Sequence, residues 1–196
     1  HHTRGVNYGV VRNLAVGANM RPAERITVLE ETTSAAPALA QHNGTLFAAW
    51  KGSGNDNISV ARVQGTTLMG IDGVEGIEQK VILAETSDTS PAIASHGGRL
   101  FLAWKGSGND QLNIAVSTDD GRSFIGKKIL DEEREFAPAL TSHDGRLYLA
   151  WTGNDENLNV AKVIVFANTA GGAGVEGIEG KVTLGDTSEA APALCS

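Results

Sequence analysis

Pro91–Asp110, PAIASHGGRLFLAWKGSGND, is the stretch whose reading decides the fold. Two short apolar runs flank His96-Gly97-Gly98, and a polar, glycine-rich loop follows Trp104. The same text stands at Pro37–Asp56 as PALAQHNGTLFAAWKGSGND and, shortened, at Pro138–Asp155 as PALTSHDGRLYLAWTGND. A further copy starts at Pro192 and runs PALCS. Four of the five prolines and all three tryptophans sit at equivalent places, and the Pro-to-Trp spacing is 13 in each full copy (37 to 50, 91 to 104, 138 to 151). Repetition at fixed spacing identifies a repeat architecture.

Within a copy the punctuation is that of short strands. Pro37, Pro91 and Pro138 open a first strand, where a missing N–H breaks no ladder bond. Asn43-Gly44, Gly97-Gly98 and Asp144-Gly145 are two-residue hairpin turns that tolerate positive φ. The second strands, TLFAAW, RLFLAW and RLYLAW, are apolar on both faces and so are expected to be packed on both sides. A loop (KGSGND or TGND), a third strand (NISVARV, LNIAVS or LNVAKV), a connection of variable length and a fourth strand (KVILAE, KKILDE or KVTLGD) follow. The connections MGIDGVEGIEQ and GGAGVEGIEG are longer than TDDGRSFIGK, and their acidic residues read as solvated turn positions.

Four antiparallel strands per unit predict an all-β chain, a β-propeller built of four-stranded blades. The predicted layout is a partial blade (strands three and four) at 1–34, blades at 35–88, 89–135 and 136–189, and the first strand of an incomplete blade at 190–196. With the second strand missing from both partial pieces, the ring is expected to be completed by other copies of the chain or by a longer parent chain.

Bulk composition narrows the function. A formal net charge of −7 argues against nucleic acid as a partner, because phosphate binding draws on clustered Lys and Arg. No apolar run is long enough to cross a membrane as a helix. The single cysteine, Cys195, excludes an internal disulfide and a Cys-based zinc site. His1–Gly9 shows no apolar signal region.

The ligand candidates are the loops after the tryptophans: Trp50 with Lys51, Ser53, Asn55 and Asp56; Trp104 with Lys105, Ser107, Asn109 and Asp110; Trp151 with Thr152, Asn154 and Asp155. Thr86, Ser87, Asp88 and Thr187, Ser188, Glu189 are expected on the same face. Amide, carboxylate and hydroxyl groups beside an aromatic ring suit sugars, which need hydrogen bonds to hydroxyls and stacking on C–H faces. The competing reading packs each tryptophan between blades and leaves Asn and Asp as turn formers. Calcium at these loops is a weaker option, since carboxylates are few per loop, and neither metal nor cofactor is expected. His42, His96 and His143, beside the first hairpin turns, read as turn residues bonded to nearby backbone.

Ser117-Thr118-Asp119-Asp120-Gly121-Arg122-Ser123-Phe124 matches Ser-x-Asp-x-Gly-x-Ser/Thr-Trp/Phe. It resembles the Asp-box of sialidase-like (BNR-repeat) propellers, and the repeated text is similar to bacterial members of that superfamily. The resemblance implies a fold role for Ser117, Asp119, Gly121, Ser123 and Phe124: the Asp caps a turn and the aromatic packs between blades. A sialidase would also need three arginines around a carboxylate, a Tyr/Glu nucleophile pair and an Asp acid/base. Arg25-Ile26-Thr27 lacks the expected proline, Arg99 and Arg146 lie away from the loop face, and Tyr8 and Tyr148 lie in apolar runs. The reading that results is a non-catalytic, extracellular, lectin-like module. Its alternatives are a fragment of a sialidase-like glycoside hydrolase and a structural repeat scaffold.

Overall fold

The computed structural model describes residues 27–68, 71–133, 136–167 and 172–194. Among them are twelve strands in three four-stranded antiparallel sheets, and no helix. The first sheet holds β1 (Ala38–His42), β2 (Thr45–Lys51), β3 (Asn57–Leu68) and β4 (Ile71–Thr86); the second β5 (Ala92–His96), β6 (Arg99–Lys105), β7 (Gln111–Ser117) and β8 (Ile125–Glu133). The third holds β9 (Ala139–His143), β10 (Arg146–Thr152), β11 (Asn157–Ala167) and β12 (Ala173–Thr187). Each is a simple meander in chain order. The tight turns fall where the sequence places them: Asn43-Gly44, Gly97-Gly98 and Asp144-Gly145 all have positive φ, between 47° and 77°. That handedness matches the twist of the strands the turns join.

The sheets fan about a common axis. First strands stand innermost, β1 beside β5 and β5 beside β9, while β8 and β12 touch at the outside. Residues 36–39, 90–93, 137–140 and 191–194 line one cavity of about 370 Å³ at the axis. Facing sheets bury two apolar layers. Phe47, Ala49, Ile58 and Val60 meet Ile93, Leu100, Leu102, Trp104 and Ala115. Phe101, Ala103, Leu112, Ile114 and Val116 meet Leu140, Leu147, Leu149, Trp151, Ala161 and Val163. Leu100 through Trp104 are all buried, so β6 is covered on both faces, as its unbroken apolar run requires.

The long connections prove to be strand rather than turn. GVEGIE lies within β4 and again within β12, pairing Val74 with Gly65 and Ile77 with Val63, and Val175 with Val165 and Ile178 with Val163. Bulges absorb the extra residues. In each sheet one falls where the third strand passes Val60/Arg62, Ile114/Val116 or Val160/Lys162. Gln79, Gly126 and Gly180 sit opposite these bulges with φ of 50°, 62° and 60°. The expected 1–34 partial blade falls largely on residues 1–26, and Cys195 and Ser196 follow 194; these lie outside the described residues. The described residues form three sheets and no closed ring, and 191–194 run beside β9 without strand pairing.

Candidate functional site

The tryptophans belong to the interior. Trp50, Trp104 and Trp151 are 5%, 1% and 0% exposed, so their rings are not free to stack on a sugar. The neighbouring sheet covers Trp104 and Trp151, and residues 27–33 stand over the face that carries Trp50, so no ring face is left to solvent. Each carries instead a lysine from the fourth strand of its own sheet: Lys80 Nζ 5.7 Å from the Trp50 centroid, Lys127 5.9 Å from Trp104, Lys181 5.3 Å from Trp151.

The residue before each lysine is the positive-φ bulge residue just described, and bulges re-aim the side chains beside them. Each lysine also meets a glutamate that precedes its unit: Lys80 with Glu31, Lys127 with Glu85 and Lys181 with Glu132, each with a closest approach of 2.6 Å. A Trp–Lys–Glu clasp therefore recurs in each of the three units. Sequence reasoning missed it, although a signal was present: Lys80/Glu85/Pro91, Lys127/Glu132/Pro138 and Lys181/Asp186/Pro192 recur at constant spacing.

The polar loops do assemble on one face. Lys51 Nζ lies 2.8 Å from Asp56 Oδ1 and donates to the Asp88 carbonyl at 3.4 Å. Lys105 Nζ lies 2.7 Å from Asp110 Oδ1 and 3.7 Å from Asp88 Oδ2, and Ser107 Oγ donates to Asp88 Oδ1 at 2.7 Å. Asp88 thus ties together the loops of the first two units. Backbone bonds fix the same geometry: Ser53 N–H donates to the Thr32 carbonyl and Ser107 N–H to that of Thr86. Thr86–Asp88 and Ser188 are on this face as expected, the N–H of Ser188 donating to the Glu156 carbonyl.

Other loop residues serve the backbone. Asn55 Oδ1 accepts from Asn57 N–H, Asn109 Oδ1 from Gln111 N–H and Asp155 Oδ1 from Asn157 N–H, each at 3.2 Å. Asp155 is therefore the equivalent of Asn55 and Asn109, while Asn154 is an exposed residue one place earlier. The Asn157 side chain and backbone hydrogen bonds hold the Asp155 carboxyl below its ordinary pKa. Gly52, Gly106 and Gly153 pass so close to these acceptors that a Cβ would lie 2.4–2.6 Å from them. Thr152 replaces the lysines and is buried, donating to the Ala190 carbonyl at 2.9 Å. Among the described residues no group of three His, Cys, Asp or Glu is placed to hold a metal ion.

The Ser117–Phe124 turn closes on itself. Asp119 accepts from Ser117 Oγ (2.8 Å), Ser123 N–H (2.9 Å) and Ser123 Oγ (2.7 Å). Burial alone would raise the Asp119 pKa; the bonds from Ser123 and Ser117 outweigh it and hold the carboxyl below its ordinary value. Gly121, at φ 79°, abuts Phe47 of the first sheet, and Phe124 packs on the same apolar layer.

His42 and His96 bond across junctions rather than to nearby backbone. His42 Nδ1 is 2.8 Å from Ser95 Oγ and its Nε2 3.2 Å from Asp120 Oδ1; His96 Nδ1 is 2.9 Å from Ser142 Oγ. His143 is exposed and stands 3.3 Å from Asp144. Desolvation, then the Arg99 charge, lowers the His96 pKa. Tyr148 and Arg146 lie on the outer side of the third sheet, in a groove away from the loops.

No family model matches the chain, and no curated protein sequence matches it. Among solved structures it is similar to a GH43_1 enzyme from Xanthomonas citri (16% identity, TM-score 0.41), and to the same enzyme complexed with xylose (15%, 0.41) and with xylotriose (16%, 0.41). Each alignment covers 73% of this chain and 54% of the other, so the chain spans about half the length of those enzymes.

Proposed function

We propose that the three sheets are blades of a β-propeller and that the chain is a non-catalytic, extracellular carbohydrate-recognition module. The ligand face is the set of loops after Trp50, Trp104 and Trp151. The observation that carries this reading is the cluster around Asp88. Two lysines and a serine from two loops converge on one connection, while Asp56, Asp88 and Asp110 keep 47%, 42% and 59% of their side chains exposed. Lysines held by carboxylates fix the loops, and the second carboxylate oxygens of Asp56 and Asp110, with the lone pairs of a Ser107 hydroxyl whose proton goes to Asp88, are placed to accept from sugar hydroxyls. The tryptophans support that face from beneath and make no stacking contact, so recognition rests on hydrogen bonds. Several similar loops around an axis supply avidity for a polymer.

A glycan array is the test. Binding to a neutral or amino-sugar glycan, lost in Asp88→Ala and Ser107→Ala variants of unchanged circular dichroism, is expected. Absence of binding to every glycan at high protein concentration would remove the reading in favour of a structural scaffold. Hydrolysis of a fluorogenic glycoside by the purified chain would favour a portion of a glycoside hydrolase instead.

A further inference from the structure

A groove of about 660 Å³ lies on the outer side of the third sheet and is lined by Arg146, Tyr148, Val160, Lys162, Glu179 and Val182, among others. Its mixture of aromatic and charged groups suggests a small-molecule site, but the repeat assigns it otherwise. Tyr148 and Val160 occupy the places of Phe47 and Val60 in the first sheet and of Phe101 and Ile114 in the second. Those four are 0–2% exposed because the next sheet covers them. Tyr148 and Val160 are half-buried, and Val182 is 55% exposed.

The opposite end of the array shows the complementary surface. Leu39 and Leu46 of the first sheet are 60% and 37% exposed, whereas their equivalents are buried: Ile93 and Leu100 at 5% and 0%, Leu140 and Leu147 at 7% and 1%. With Ala48, Trp50, Val63 and Val74 they line an apolar cavity of about 290 Å³. Each chain therefore carries both halves of the contact that already joins its own sheets.

We propose that the Tyr148 face of one chain docks on the Trp50 face of a second copy, repeating the contact between the first and second sheets. Charge agrees with this: Asp186 stands where Glu31, Glu85 and Glu132 stand, and is exposed. It is placed to take Lys80 of the second copy. Residues 27–33 of that copy now hold this position, through Glu31 on Lys80 and the Thr32 carbonyl on Ser53 N–H. The incoming stretch is nearly the same text, VTLGDTSEAAPAL (182–194) against TVLEETTSAAPAL (27–39). Docking accordingly replaces one segment by its equivalent, at small local cost, and gains the burial of two apolar faces. The contact is heterologous, so copies add head to tail and close into a ring or extend.

Light scattering after size exclusion, with native mass spectrometry, tests this on the full chain across the micromolar range. Masses of two or more chains, rising with concentration, are expected. Tyr148→Glu and Asp186→Lys, each with unchanged tryptophan fluorescence, are expected to return the single-chain mass, and mixing D186K with K80E chains is expected to restore assembly. A single-chain mass at every concentration, or assembly that survives either single substitution, would overturn the proposal.

Discussion

At the scale of single residues, burial outweighs the chemistry a side chain advertises. Trp104 is the anchor of the first inter-sheet layer, and Trp104→Ala should cost about 3–5 kcal/mol by urea denaturation, as large-to-small core changes do. Lys127→Met removes a lysine 39% exposed and paired to a glutamate 36% exposed, so screening limits the loss to under about 1 kcal/mol. A cost for Lys127→Met equal to that of Trp104→Ala would show that the clasp, not the ring, holds the junction. His96 supplies a pH dependence with a definite sign. Its folded pKa lies below the ordinary 6.5, so the unfolded chain binds the proton more readily. Its contribution is complete above 6.5 and is lost as pH falls beneath that value. Melting temperature should drop on going from neutral pH toward pH 5, and His96→Gln should flatten that slope. Asp119 has a lower window: its contribution is present above the ordinary 3.8 and disappears as pH falls through the folded value. The partner of His96 was not legible in the text, since Ser142 is 46 residues away and only folding brings the two together, whereas the partners of Asp119, Ser117 and Ser123, lie within its own motif.

At the scale of elements, the reading succeeded where local chemistry decides. Asn43-Gly44 and its equivalents place the first hairpins because few other residues accept positive φ, and RLFLAW reads as a doubly covered strand because it has no polar side. GVEGIE misled because alternating glycine reads as turn, whereas here Gly76 and Gly177 are strand positions facing Gln64 and Ile164. The bulge at Gln79 was invisible because no glycine marks it, although Gly126 and Gly180 do so in the other sheets. Gln79→Gly should therefore stabilise the first sheet by up to about 1 kcal/mol, since a left-handed backbone burdens a residue with a Cβ. Thermal unfolding checks it, and a lower melting temperature would contradict the bulge. Gly121→Ala should act in the opposite direction: besides positive φ, its Cβ would lie 2.9 Å from the Phe47 ring. A loss of about 1–3 kcal/mol is expected, on the scale of core overpacking.

At the scale of the molecule, a strict text repeat has become a strict contact repeat. The same apolar layer, the same lysine on the same tryptophan and the same acid from the preceding unit recur at successive junctions. The loop face follows from this order, because Asp88 meets both Lys51 and Lys105 only if the first two sheets stand side by side. The order of sheets about the axis is thus the central claim. Zero-length carbodiimide cross-linking followed by peptide mass spectrometry tests it directly, because each Lys–Glu pair approaches within 2.6 Å. The links expected are Glu85 to Lys127 and Glu132 to Lys181, with Glu31 to Lys80 in the chain that has no second copy docked on it. Links that skip a unit, such as Glu31 to Lys127 or Glu85 to Lys181, in place of these three would contradict the arrangement.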